Sequence, residues 1–152
     1  MQRISKKMAI IVLFAALFSF NQINAQGLSL DVRGGYYGDA DDFFLGGGLN
    51  FSILSITANP NFEYVFVSGG DFYTINLDGR ITVLPLVAGS GWLGGGFVLS
   101  SSKISGGDTQ TDGGVNLLAG LGLDKLPMKP FAQIKYVISD NSQWVFGVGV
   151  RF

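Results

Sequence analysis

The stretch QWVFGVGVRF, Gln143 to Phe152, decides the fold. Trp144, Phe146, Val148, Val150 and Phe152 share one parity; Gln143, Val145, Gly147, Gly149 and Arg151 share the other. Alternation with period two marks a β-strand whose two faces differ chemically. The bulky face runs to Phe152 itself, at a position where chains ordinarily fray. Either a protein core or lipid must cover it.

Working back along the chain, the same test finds seven more stretches, separated by clusters of Gly, Asp, Asn, Ser and Pro. Leu28, Leu30, Val32 and Tyr36 oppose Ser29, Asp31, Arg33 and Tyr37. Phe43, Leu45, Leu49, Phe51 and Ile53 oppose Phe44, Gly46, Gly48, Asn50 and Ser52. Ile56, Phe62, Tyr64 and Phe66 oppose Thr57, Asn59, Asn61 and Glu63. The clearest case sets Tyr73, Ile75, Leu77, Ile81 and Val83 against Thr74, Asn76, Asp78, Arg80 and Thr82. PLVAGSGWLGGGFVL stays ambiguous, because small residues blur both faces. Val115, Leu117, Leu121 and Leu123 oppose Asn116, Gly120, Gly122 and Asp124, and Ile134, Tyr136 and Ile138 oppose Gln133 and Lys135. Pro60 interrupts the third stretch and cannot donate to a ladder, so a bulge or a strand start near Asn61 is expected.

Such alternation implies one antiparallel sheet, and an open sheet would leave two long apolar edges. Closure removes them, and eight strands make a small barrel whose interior is just filled by side chains. The expected fold is an all-β, eight-stranded, antiparallel up-and-down transmembrane barrel over residues 26–152. The first 25 residues have a basic start, an apolar run and a small residue at Ala25, the layout of a signal peptide cleaved after that position. Its removal leaves seven basic residues against eleven acidic ones, a net charge of −4, which disfavours nucleic acid as a partner.

Orientation separates a lipocalin-like soluble barrel from a membrane barrel with its apolar face outward. The polar face is also the glycine face, at Gly35, Gly46, Gly48, Gly120, Gly122, Gly147 and Gly149. Glycine weakens a solvated strand but makes room in a narrow lumen. Charges on that face balance: Asp31, Glu63, Asp78 and Asp124 against Arg33, Arg80, Lys135 and Arg151. Confined charges need such pairing, so these eight residues are expected to form a lumen ion-pair network. Tyr36, Phe43, Tyr64, Phe66, Tyr73, Tyr136, Trp144 and Phe152 lie near strand ends on the apolar face, as interfacial aromatics do.

The chain resembles the small eight-stranded outer-membrane barrels of OmpX and OmpA type, a porin-like pattern, most closely in NLDGRITVLPLVAG and KPFAQIKYVISDNSQWVFGVGVRF. The resemblance implies a cell outer-membrane location, with outer-membrane lipid and the outer-membrane assembly machinery as partners. It assigns Val148, Val150 and Phe152 to the assembly signal that this machinery reads. With both termini periplasmic, the segments 38–42, 68–71, 100–114 and 139–143 become external loops. Leu54–Ser55, the region of Leu84–Pro85 and the segment 124–129 become inner turns. The external side then holds Asp39, Asp41, Asp42, Asp71, Asp108, Asp112 and Asp140 against Lys103 alone.

Function classes narrow accordingly. The sequence has no Cys, hence no thiolate metal site, and no His, the residue most often used as general base or metal ligand. No catalytic residue and no cofactor is assigned, and the chain is not expected to be an enzyme. Asp39, Asp41 and Asp42 are weak candidates for a hard cation, lacking the Glu of a calcium loop. Gly89 to Gly94 fits GxGxxG, but no helix follows to meet a pyrophosphate. A structural or surface-interaction role through acidic external loops, with the lumen plugged by paired charges and an extracellular ligand of unspecified kind, is the leading reading. A narrow channel for small polar or amphipathic solutes is the alternative.

Overall fold

The computed structural model describes residues 27–39 and 41–152; the segment expected to be a signal peptide lies outside them. The strands are β1 (Leu28–Tyr37), β2 (Asp42–Ile53), β3 (Ile56–Val65), β4 (Gly70–Pro85), β5 (Gly89–Ile104), β6 (Thr109–Leu123), β7 (Lys129–Ile138) and β8 (Gln143–Arg151). Each pairs antiparallel with its sequence neighbour, and β8 returns to β1 to close the barrel. Closure leaves no free edge, which an alternating apolar sheet requires.

Parity holds around the ring. Leu45, Ile75, Leu77, Ile81, Leu93, Leu99, Leu117, Leu121, Phe146 and Val148 are exposed on the outer wall, while Asp31, Glu63 and Asp78 are enclosed. Glycines on the inner wall make room for large neighbours. A Cβ at Gly120 would come 2.5 Å from the Trp92 ring, and one at Gly149 would come 2.7 Å from the Phe131 ring. The stretch that parity left ambiguous is thereby resolved: Trp92 points inward and is 4% exposed, whereas Leu93, Phe97 and Leu99 point outward.

Pro60 meets neither expectation. β3 runs through it, and the β2–β3 register is the same at Gly48↔Asn61 as at Phe51↔Ala58. The ladder lapses only at Leu49 and Asn50, because the proline nitrogen faces β2 and carries no proton. The Asn59 side-chain amide donates to the Leu49 carbonyl at 2.8 Å and takes that place. The irregularity in register falls elsewhere, between Thr82 and Leu84 opposite β5.

The external loop expected over 100–114 is also shorter. β5 extends to Ile104 and β6 begins at Thr109, so this strand pair projects past β7, though not past β4, which pairs with β5 as far as Gly70↔Ile104. Ser100↔Asp112 and Ser102↔Gln110 pair across it, and with polar residues on both faces it carries no apolar alternation to read.

Aromatics gather at one end of the outer wall, away from the chain termini. Tyr36 packs edge-on against Phe43 at 5.5 Å, Tyr64 against Phe66 at 5.2 Å, and Tyr136 tilts on Trp144 at 4.6 Å. Phe152 is at the opposite end, where its amide donates to the Leu30 carbonyl. The end that carries Gly27 and Phe152 is called the terminal end below, and the other the distal end.

Candidate functional site

The lumen is the enclosed space to which the polar parity of all eight strands points, and its contents form three layers. The distal layer is apolar: Tyr37, Phe44, Val65, Val98, Val137 and Val145 pack together, with Phe72 against them. The third layer, near the terminal end, holds Trp92, Leu118 and Phe131.

Between them lies a polar layer. Arg33, two residues beyond Asp31 on the same face of β1, donates to it in a fork, Nε to Oδ1 at 2.7 Å and Nη2 to Oδ2 at 2.8 Å. Asn50 Nδ2 and Asn59 Nδ2 donate to the same carboxylate at 2.8 and 3.1 Å. Lys135 Nζ, reaching in from β7, stands 3.2 Å from Glu63 Oε1 and 3.6 Å from Asp78 Oδ2. Glu63 also accepts from the Tyr37 hydroxyl at 2.8 Å, and Asp78 accepts from Asn61 and Asn116 at 2.9 and 2.8 Å. Bidentate guanidinium and amide donors of this kind are what a buried carboxylate needs to remain charged.

The eight expected lumen residues therefore divide. Asp31, Arg33, Glu63, Asp78 and Lys135 share one connected cluster, in which Arg33 Nη1 and Glu63 Oε1 are 4.0 Å apart. Arg151 and Asp124 stand apart from it near the terminal end, 3.9 Å from each other. Arg80 lies within the lumen but reaches no carboxylate within 4 Å among the described residues; it donates to Asn50 and lies over the Trp92 ring at 5.2 Å. Expected as a member of the lumen ion-pair network, it is held by an amide and an aromatic face instead. Lys135 takes up Asp78 first, and Arg80 sits two residues further toward the terminal end on β4.

The amides that join the charges went unread as site residues in the sequence. Asn50, Asn59, Asn61, Asn76 and Asn116 are all buried, on the parity that carries the acids. Asparagine recurring on one strand face, beside charges of both signs, was the available signal.

At the distal end, Asp41 accepts from the Tyr36 hydroxyl and has a positive φ of 59°. Among the described residues no three acidic side chains gather as a cation site would require, Asp39, Asp41 and Asp42 included. Gly89 to Gly94 lies within β5. Val148 is exposed on the outer wall, and Val150 pairs with Val32 of β1 in the closing ladder.

Two cavities flank the polar layer. The distal one, of about 460 Å³, is floored by Tyr37, Phe72 and Val137 and walled by hydroxyls and amides such as Ser100, Thr111 and Asn141. The terminal one, of about 240 Å³, is lined by Arg80, Arg151, Lys129 and the hydroxyls of Ser52, Thr57 and Thr82. No residue lines both.

A closed eight-stranded up-and-down barrel, apolar without and polar within, is the fold of the small outer-membrane β-barrels. Solved structures of that class superpose on this chain. Neisserial surface protein A aligns with a TM-score of 0.68 at 16% identity, over 83% of this chain and 96% of that one. The N-terminal barrel domain of Pseudomonas aeruginosa OprF gives 0.62 at 15% identity, over 82% and 96%. Ail, the attachment invasion locus protein of Yersinia pestis, gives 0.52 at 18%, over 83% and 99%. No family model matches the chain, and no curated protein matches it by sequence.

Proposed function

We propose that this chain is a non-enzymatic integral outer-membrane barrel with a structural or surface-interaction role, its lumen occluded by the charged and amide layer. The observation that carries this reading is the layer of buried, mutually bonded charges and amides between the two mouth cavities. Between them stand Asp31, Glu63 and Asp78, each no more than 2% exposed, bound to Arg33 and Lys135. The chain has no His, the residue most often used to activate a nucleophile. The ten-residue length of β1, β3 and β7 suits a tilted strand crossing a bilayer.

The distal surface is where contacts outside the membrane would be made. Asp39, Asp71 and Asp140 line its cavities with Lys103 as the nearby cation, so cationic groups or divalent-bridged lipid headgroups suit it. Two of the structural neighbours are named for a surface protein and an attachment locus, which agrees with such a role at the level of fold.

Planar-bilayer recording tests the occlusion. The purified barrel gives no steady single-channel conductance under this reading. Steady, large openings, or flux of small polar solutes from liposomes, would instead establish the narrow-channel alternative.

A further inference from the structure

The terminal cavity is lined by more cations than anions. Arg80, Arg151 and Lys129 line it, and Asp124 is the one carboxylate among its lining residues. That carboxylate is half spent: Ser90 donates to Oδ2 at 2.6 Å, and Arg151 Nη1 stands off at 3.9 Å. Arg80 is only 6% exposed, and like Lys129 it has no carboxylate within 4 Å among the described residues. A buried guanidinium without an anion is costly to keep.

The guanidinium of Arg151 is confined to one mode of bonding. It lies 4.6 Å from the Trp92 ring and 4.8 Å from the Phe131 ring, and a guanidinium donates only in its own plane. Nε and Nη2 are buried and find no acceptor among the described residues. Hydroxyls complete the surroundings: Ser52 and Thr57 share one hydrogen bond at 2.9 Å, which leaves one of their two protons unspent.

We infer that this cavity binds a phosphate-class oxyanion, taken by Lys129 and the edge of Arg151 with Arg80 beneath and a hydroxyl donor of the Ser52–Thr57 pair at its side. Arginine forks and hydroxyls are the donors that such oxygens select. A cavity of about 240 Å³ accommodates one phosphate group with a few waters. The group is either free phosphate or the headgroup of a phospholipid at the mouth.

Thermal unfolding of the folded barrel in detergent micelles tests this, with inorganic phosphate compared with chloride at matched ionic strength. A ligand that binds only the folded state raises the midpoint by mass action, and the expected rise is at least about 3 °C, saturating with phosphate. Arg151→Gln is expected to abolish it. Should that variant not fold, Lys129→Gln, a change at an exposed side chain, is expected to reduce the rise. In a Trp144→Phe background, emission from Trp92 shifts over the same phosphate range. Glycerol 3-phosphate run in parallel separates the sources: tighter half-saturation than inorganic phosphate indicates a headgroup, and equal half-saturation indicates the free ion. Equal midpoints in phosphate and chloride overturn the assignment. So does a rise that never saturates and survives Lys129→Gln, which is the general salting effect of phosphate on any fold.

Discussion

Lys135 Nζ stands 3.2 Å from Glu63 Oε1, a pair that spans the lumen from β7 to β3, 72 positions apart in the chain. Both side chains are at most 2% exposed. Lys135 also faces Asp78, so one ammonium group serves two acids. Removing it leaves two buried carboxylates short of a counter-charge, and breaking a buried pair in this way costs on the order of 3–5 kcal/mol. Lys135→Met is therefore expected to lower the unfolding free energy in detergent by about that amount. Adding Glu63→Gln to it should recover part of the loss, and a second change that makes matters worse by its full separate amount would contradict the pairing.

The two arginines of the lumen are expected to differ. Arg33 forks onto Asp31, whereas Arg80 is held by Asn50 and the Trp92 ring. Arg33→Ala strands a buried carboxylate and should cost about 3–5 kcal/mol. Arg80→Ala removes one hydrogen bond and a ring contact, for about 1–3 kcal/mol. Denaturant titration of the two variants checks the order, which reverses if Arg80 is the true counter-ion of the cluster.

Inner-wall glycine is a steric requirement at Gly120. A methyl group there would meet the Trp92 ring at 2.5 Å, while one at Gly113 meets only a Leu99 methyl at 3.7 Å. Gly120→Ala is expected to destabilise by about 1–3 kcal/mol through overpacking, and Gly113→Ala by much less. Trp92→Leu in the Gly120→Ala background should restore part of the stability. No restoration would mean that the ring is not what the methyl strikes.

Leu54, fully exposed in the turn between β2 and β3, has a φ of 56°, a conformation that suits asparagine better than leucine. Leu54→Asn is expected to stabilise the barrel by up to about 1 kcal/mol, read as a higher denaturant midpoint. A lower midpoint would show that the leucine side chain contributes more in its surroundings than its backbone costs.

How much of this was legible beforehand follows from what each signal encodes. Parity is a local property of the chain, so the eight strands, their facing and the closed barrel could be read directly from stretches such as Tyr73–Val83. Partner choice is not local. Arg80 and Lys135 sit on the same kind of face with the same sign, and only the stagger between β4 and β7 determines which one meets Asp78. The mid-strand Pro60 was misread for a related reason: the Asn59 amide that substitutes for its missing donor acts across the ladder, to Leu49. The extension of β5 and β6 past β7 escaped notice because a strand with polar residues on both faces has no apolar alternation. The terminal cavity could not be seen at all, since its residues come from β1, β2, β3, β4, β5, β7 and β8 and meet only when the barrel closes.

Everything turns on which half of each strand meets acyl chains. A lipid-soluble carbene probe, activated in proteoliposomes of the unaltered chain and mapped residue by residue along β4, tests this most directly. Labels on Ile75, Leu77 and Ile81, with Asn76, Asp78 and Arg80 unmarked, are the expected pattern; labels on the second set with the first left clean would contradict it.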